Sequence, residues 1–199
     1  MITIYFDLET TDVDIARAEI TQLAAVAVDA DFREVDAFTQ LIRIDEKRAN
    51  PEALRINHYD PARWAAEAVP CARALSEFIS WSLPYQDQTR FSKAGRPFKV
   101  GTLAGYNAAR FDFPLLERHC KAAGIFLPFD FRVRDAMLVA QSVCDFAGIT
   151  PENFKLVTIA DVFKVPVENA HDALSDVRTT IGLMRRFRGM FSMEEAPAA

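Results

Sequence analysis

The sequence predicts an α/β fold, with a sheet that opens as a three-stranded meander and is then covered by helices. Residues 2–8, 20–29 and 34–44 are rich in β-branched and aromatic residues and are parted by polar turns such as Asp29 to Arg33, the pattern of consecutive, mostly antiparallel strands. From Asn50 to Leu83 the period changes to that of a helix. Pro51 suits a first turn, and Leu75, Phe78, Ile79 and Leu83 recur three and four residues apart. Beyond that point strand-like and helix-like segments follow one another.

Pro84 to Lys99 reads as a polar loop between the two halves of the chain. It carries Arg90, Lys93, Arg96 and Lys99 against a single acid, Asp87, so it is either a solvated linker or a flap near a phosphodiester. Val100 to Tyr106 supplies a fourth strand. A helix follows, with Pro114 in its first turn, Leu115, Leu116, Cys120 and Ala123 inward and Gly124 as its stop. Phe129 to Val133 suits a fifth strand, and helices are expected at about 135–147, 155–163 and 172–188. Phe126, Phe129 and Phe131 could stack bases, but apolar residues around a strand are more often core, and core is expected here. Residues 191–199 read as a flexible tail.

The chain has 199 residues, half of them hydrophobic, with 16 Phe and only 7 Gly, which is enough to bury one sizeable core and argues against disorder. Cys71, Cys120 and Cys144 are odd in number and lack metal-ligand spacing, so buried thiols in a reducing compartment are expected. No apolar stretch approaches the roughly 20 residues a membrane helix needs, and the N-terminus enters a strand directly. A cytoplasmic protein with no membrane partner is the expectation. A net charge of -5 and a pI near 5.3 leave no general basic footprint, so a polyanion would have to be held locally, by metal ions or a small basic patch.

The chemistry concentrates in acids placed where elements begin or end. Asp7 and Glu9 close the first strand two residues apart, hence on one face, while Phe6 and Leu8 face the other way. Asp112, in "GYNAARFD", stands at a strand-to-helix junction, and Asp176, in "HDALSDVRTT", stands near the start of the last helix. In that helix Leu174, Val177, Ile181 and Met184 follow the helical period toward the core, which leaves Asp176 about 100° from Val177, on the margin of the buried stripe. Five helical steps would turn His171 roughly 140° away from Asp176, so the two converge only if His171 precedes the helix, with Asp172 as its N-cap.

Four acids gathered in a poorly solvated site repel one another, and hard divalent cations bound through oxygen, Mg²⁺ or Mn²⁺, relieve that repulsion. Acids from one strand and two helices can hold two such ions about 3.5–4 Å apart, the separation that serves phosphoryl transfer. His171, with an ordinary pKa of about 6.5, is then the candidate general base for an attacking water.

Together "FDLETT", "NAARFD" and "HDALSD" resemble the three exonuclease motifs of the DEDD superfamily, in its histidine-bearing branch with polymerase proofreading subunits, ribonuclease T and oligoribonuclease. The resemblance runs from Tyr5 to about Ile181. It implies a ribonuclease H-like fold, a five-stranded mixed sheet flanked by helices, with residues 1–190 as one exonuclease domain. It also implies removal of nucleoside monophosphates from single-stranded DNA or RNA 3′ ends with two divalent metal ions. By motif, Asp7, Glu9, Asp112 and Asp176 become the metal-site acids, Asp7 bridging both ions, and His171 the base. Leu8 to Thr10 would line the terminal nucleotide, and Asn107 would steady the site. Two departures bear on how that nucleotide is gripped: Tyr106-Asn107 stands where members often read His-Asn, and His58, in "INHYD", stands where Gly is usual.

A single Asp-x-Glu or a lone Asp at a helix start is ordinarily chance or a cap; three motifs in order, each in its expected context, are not. His119 is expected to be exposed on its helix, and Arg185, Arg186 and Arg188 to serve the helix dipole as readily as a phosphate backbone. Two other functions compete. "DLETT" superficially resembles the opening of haloacid-dehalogenase-like phosphatases, although Glu9 stands where that family needs Asp. A non-catalytic or proofreading-type subunit that binds a DNA polymerase is the other.

Overall fold

The computed structural model describes residues 1–191, so the expected tail at 191–199 lies almost wholly outside the described residues. In chain order the elements are β1 (Thr3–Thr10), β2 (Ile20–Val28), β3 (Glu34–Leu41), α1 (Pro51–Ile56), α2 (Pro61–Glu67), α3 (Cys71–Ser82), β4 (Gln88–Phe91), β5 (Pro97–Val100), β6 (Leu103–Gly105), α4 (Asp112–Ala122), β7 (Arg134–Asp135), α5 (Ala136–Ala147), α6 (Leu156–Val162) and α7 (Ala173–Phe191). The main sheet has five strands in the order β3-β2-β1-β6-β7. The first three form the expected antiparallel meander, and β6 and β7 join β1 in parallel, so the sheet is mixed and the fold is α/β, ribonuclease H-like. No described helix is long and apolar enough to cross a membrane.

β1 is central, and its alternation divides the molecule into layers. Ile4, Phe6 and Leu8 pack with Leu75 and Phe78 of α3 and Leu115 and Leu116 of α4. Tyr5 points to the opposite face, against Val177 and Ile181 of α7, and Asp7 and Glu9 continue that face. On the far side of α7, Leu183 and Phe187 meet Val143 of α5, Ile159 of α6 and Phe163 just after it. Phe6 and Phe78 are buried completely enough that truncating either to Ala should cost about 3–5 kcal/mol.

Several expectations are corrected. Pro84 to Lys99 is not a loop throughout: β4 and β5 pair antiparallel, Gln88 opposite Val100 and Phe91 opposite Pro97, around a turn in which Gly95 adopts φ 75°. Because β5 leads into the N-terminal end of β6, this hairpin sits at the sheet end away from Asp7 and Glu9, which rules out a flap beside them. The fifth strand is Arg134–Asp135, not Phe129–Val133. Phe129 forms only an isolated bridge with Gly101 and then enters the core, while Phe126 and Phe131 are exposed. His119 is half-buried, its Nε2 lying 3.2 Å from the Ala18 carbonyl. All three cysteines are free thiols, but only Cys120 and Cys144 are buried.

Candidate active site

β1 outruns its neighbour. β6 pairs only with Ile4 and Tyr5, so the amide of Leu8 has no strand partner on that side. The Leu8 N–H donates instead to Asp112 Oδ1 at 3.1 Å. Asp112 is the first residue of α4, where the helix dipole favours an acid, and its buried carboxylate ties that helix to β1 beside Asp7.

The third motif arrives from the other layer. α7 begins at Ala173, and Asp172 accepts from the Ser175 N–H at 3.1 Å in the manner of an N-cap. Asp172 also accepts from Gln22 Nε2 at 3.2 Å, and Gln22 stands opposite Glu9 in the β1–β2 register. The start of α7 is therefore fastened next to Glu9. His171 precedes the helix with a left-handed backbone, φ 63°, and its N–H donates to Asp176 Oδ2 at 3.3 Å. One ligand atom each from Glu9, His171 and Asp176 lie within 4.8 Å of one another.

The acids here are short of positive charge. Among the described residues no salt bridge reaches Asp7, Glu9, Asp112 or Asp176, and Asp176 Oδ1 is buried without a hydrogen-bond partner. Burial, then the neighbouring Asp112, Glu9, Asp176 and Asp172, push Asp7 well above the usual carboxylate range. Burial and Asp176 raise Glu9 to about 8. Burial raises Asp112 to about 7 against the Leu8 N–H that favours its charged form, and Asp176 to about 6 against the His171 N–H. His171 is lowered by burial and by the charges of His58 and Lys155, so its ring is neutral near pH 7. An unpartnered buried carboxylate oxygen beside further carboxylates is the oxygen-donor set a hard divalent cation takes, so the residues present fit one.

These groups line a cavity of about 900 Å³. Asp7, Leu8, Glu9, Asn107, Asp112, His171 and Asp176 all line it; Thr10 does not, its hydroxyl donating to the Asp12 carbonyl instead. The cavity is also lined by Phe111, Met137 and Phe154, with Arg55, His58 and Lys155 as the basic groups. Two further residues support the site. Asp135 accepts from the Asn107 and Ala109 amides at 2.9 and 3.2 Å and from the Met137 amide at 3.0 Å, fixing the turn that carries Asn107 at φ 57°. Its place just before a helical period marks an N-cap, a signal present in the sequence. Gly105 lies so close to β1 that a Cβ would stand 2.7 Å from the Phe6 carbonyl oxygen and 2.6 Å from Ala108 Cβ.

Residues 4–91 match the exonuclease family RNase_T. That stretch contains Asp7 and Glu9, whereas Asp112, His171 and Asp176 join them through the fold. Among solved structures, the zinc-bound complex of E. coli exonuclease I with single-stranded DNA aligns with a TM-score of 0.77 at 20% identity, covering 96% of this chain and 41% of that one. The same enzyme with a dT13 oligonucleotide gives 0.75 at 19% identity, over 96% and 42%. Exonuclease I from Methylocaldum szegediense gives 0.74 at 21% identity, over 96% and 41%. The chain thus spans about two-fifths of the length of these enzymes and shares the fold of their exonuclease I structures. No curated protein matches its sequence.

Proposed function

We propose that the chain is a metal-dependent 3′-to-5′ exonuclease that removes nucleoside monophosphates from single-stranded ends, DNA foremost. One observation carries this reading: acids from β1, α4 and α7 converge at one cavity with no salt-bridge partner among the described residues, beside the imidazole of His171. The RNase_T match and the single-stranded DNA bound by the exonuclease I neighbours support the substrate class.

Asp7, Glu9, Asp112 and Asp176 would hold the ions, Mg²⁺ or Mn²⁺, two in number. Divalent cations bound there supply charge neutralisation for attacking and leaving phosphoryl oxygens. His171, neutral at its exposed position on the cavity rim, accepts the proton of the water nucleophile. Lys155 and Arg55 offer positive charge to the phosphate backbone, and the apolar side formed by Phe111, Met137 and Phe154 offers a face for a base.

The test uses 3′- and 5′-labelled DNA and RNA oligonucleotides with Mg²⁺, Mn²⁺ or EDTA. Stepwise shortening from the 3′ end that EDTA abolishes is expected, and Asp7→Ala or His171→Ala should each lose about 10²- to 10⁴-fold. Full activity in both variants, or release of inorganic phosphate from a phosphomonoester without shortening, refutes the assignment.

A further inference from the structure

Among the described residues five that are not glycine have a positive φ, and three of them, His58, Asn107 and His171, line the same cavity. A left-handed backbone is disfavoured for any residue with a Cβ and persists where surrounding contacts impose it. Asn107 is held by Asp135 and His171 by Asp176. His58, in the turn between α1 and α2, has its Nε2 3.2 Å from the carbonyl oxygen of Ala170, 112 residues away. A carbonyl only accepts, so Nε2 carries the proton and donates.

The same turn is anchored on its other side. Asn57 Nδ2 donates at 2.9 Å to the carbonyl of Thr10, the residue after Glu9. Two adjacent side chains therefore join the end of β1 to the loop before α7, one bond landing next to Glu9 and the other next to His171. The other hydrogen bonds made by residues 169–171 among the described residues run to Asp172, Ser175 and Asp176, inside the same loop and helix start.

We infer that His58 is a positioning residue, a latch that together with Asn57 sets the spacing between Glu9 and the imidazole of His171. The kinetic part of this inference rests on the exonuclease reading; the structural part does not. His58 is exposed and contributes little burial, so its effect is on loop order and not on the core.

Two variants separate the latch from strain. His58→Gly removes the ring and also relieves the left-handed backbone, so the melting temperature should hold. His58→Gln restores a donor near the position of Nε2. For His58→Gly, kcat on a single-stranded oligonucleotide with Mn²⁺ should fall roughly three- to tenfold with KM little changed, the scale of one hydrogen bond. For His58→Gln, kcat should lie nearer the wild type. Amide hydrogen exchange at residues 169–172 should quicken in the glycine variant, and this readout decides the latch even if the wild-type chain shortens no oligonucleotide. Wild-type kcat in His58→Gly overturns the positioning role, as does a His58→Gln variant no better than glycine; unchanged exchange overturns the latch itself.

Discussion

Two ends of one sheet treat buried aspartates in opposite ways. At the hairpin end, Asp130 is 7% exposed, yet Arg132 meets both its oxygens at 2.9 and 3.0 Å, Arg90 Nε approaches at 3.1 Å, and the Arg132 amide adds a bond at 2.9 Å. Those donors hold its carboxyl far below the usual carboxylate range, the Arg132 side chain first among them. At the other end Glu9 and Asp112 are as buried, Asp7 and Asp176 are half-buried, none of the four has an arginine or lysine partner among the described residues, and all are pushed upward. A carboxylate whose cations are built into the chain is a structural joint. One whose cations are missing is stabilised only by a proton or by something bound, and that difference marks the functional end.

The largest effect should come from removing charge at the unpaired end while keeping its shape. Asp112→Asn retains an oxygen for the Leu8 amide but gives up the negative charge. Oligonucleotide shortening should fall by about 10²-fold or more, on the scale of losing one electrostatic contributor to a transition state. Stability at pH 8 without metal should rise, because repulsion with Asp7 and Glu9 is relieved. Denaturant unfolding with EDTA beside a nuclease assay with Mn²⁺ reads both; a variant that is active, or less stable than the wild type, would contradict the contrast.

The next effect comes from adding the missing cations. Folding raises these four acids above unfolded values near 4, so between about pH 4 and pH 8 the folded chain binds more protons than the unfolded one. That stability is fully present below about pH 4 and is lost as pH climbs through 6 to 8. The metal-free chain should therefore be less stable at pH 8 than at pH 5. Mn²⁺ should restore more at pH 8 than at pH 5, since it competes with protons for the same oxygens. Melting curves at both pH values, with and without metal, check the sign; equal metal-induced shifts would break the link.

How far this contrast was legible follows from the range of each signal. Asp7 and Glu9 could be read because a period of two fixes both side chains once β1 is recognised, and Asp176 because the apolar stripe of α7 fixes its angle. Asp112 needed the strand-to-helix junction, and the bond it makes depends on β6 stopping at Gly105, which no local pattern states. The β4–β5 hairpin was missed because two four-residue strands of mostly polar residues carry too few repeats to show a period, although Gly95 marked its turn. β7 is two residues held by register alone. "INHYD" marked His58 only as a departure from Gly, and Lys155 had no motif at all; their place at the cavity follows from which loops cross the end of β1.

The smallest effect belongs to the paired end, and its smallness is the point. Arg90→Ala strips one partner from Asp130 and frees Gln88 Oε1, which accepts from Arg90 at 2.7 Å. Arg132 stays on both carboxylate oxygens, so the charge is not left bare, and the cost should be near that of one charge-assisted hydrogen bond, about 1–2 kcal/mol. Nuclease activity should be unchanged, because the hairpin lies across the sheet from the carboxylate cavity. Stability should fall most at neutral pH and least in acid: Asp130 is depressed in the folded chain, so its contribution is present above the unfolded pKa and lost as pH drops through the folded one. That slope is opposite in sign to the slope set by Glu9 and Asp112. Urea unfolding of Arg90→Ala and the wild type at pH 7 and at about pH 2 would show it, and a variant whose deficit grew toward acid would mean that Asp130 is not held by its arginines.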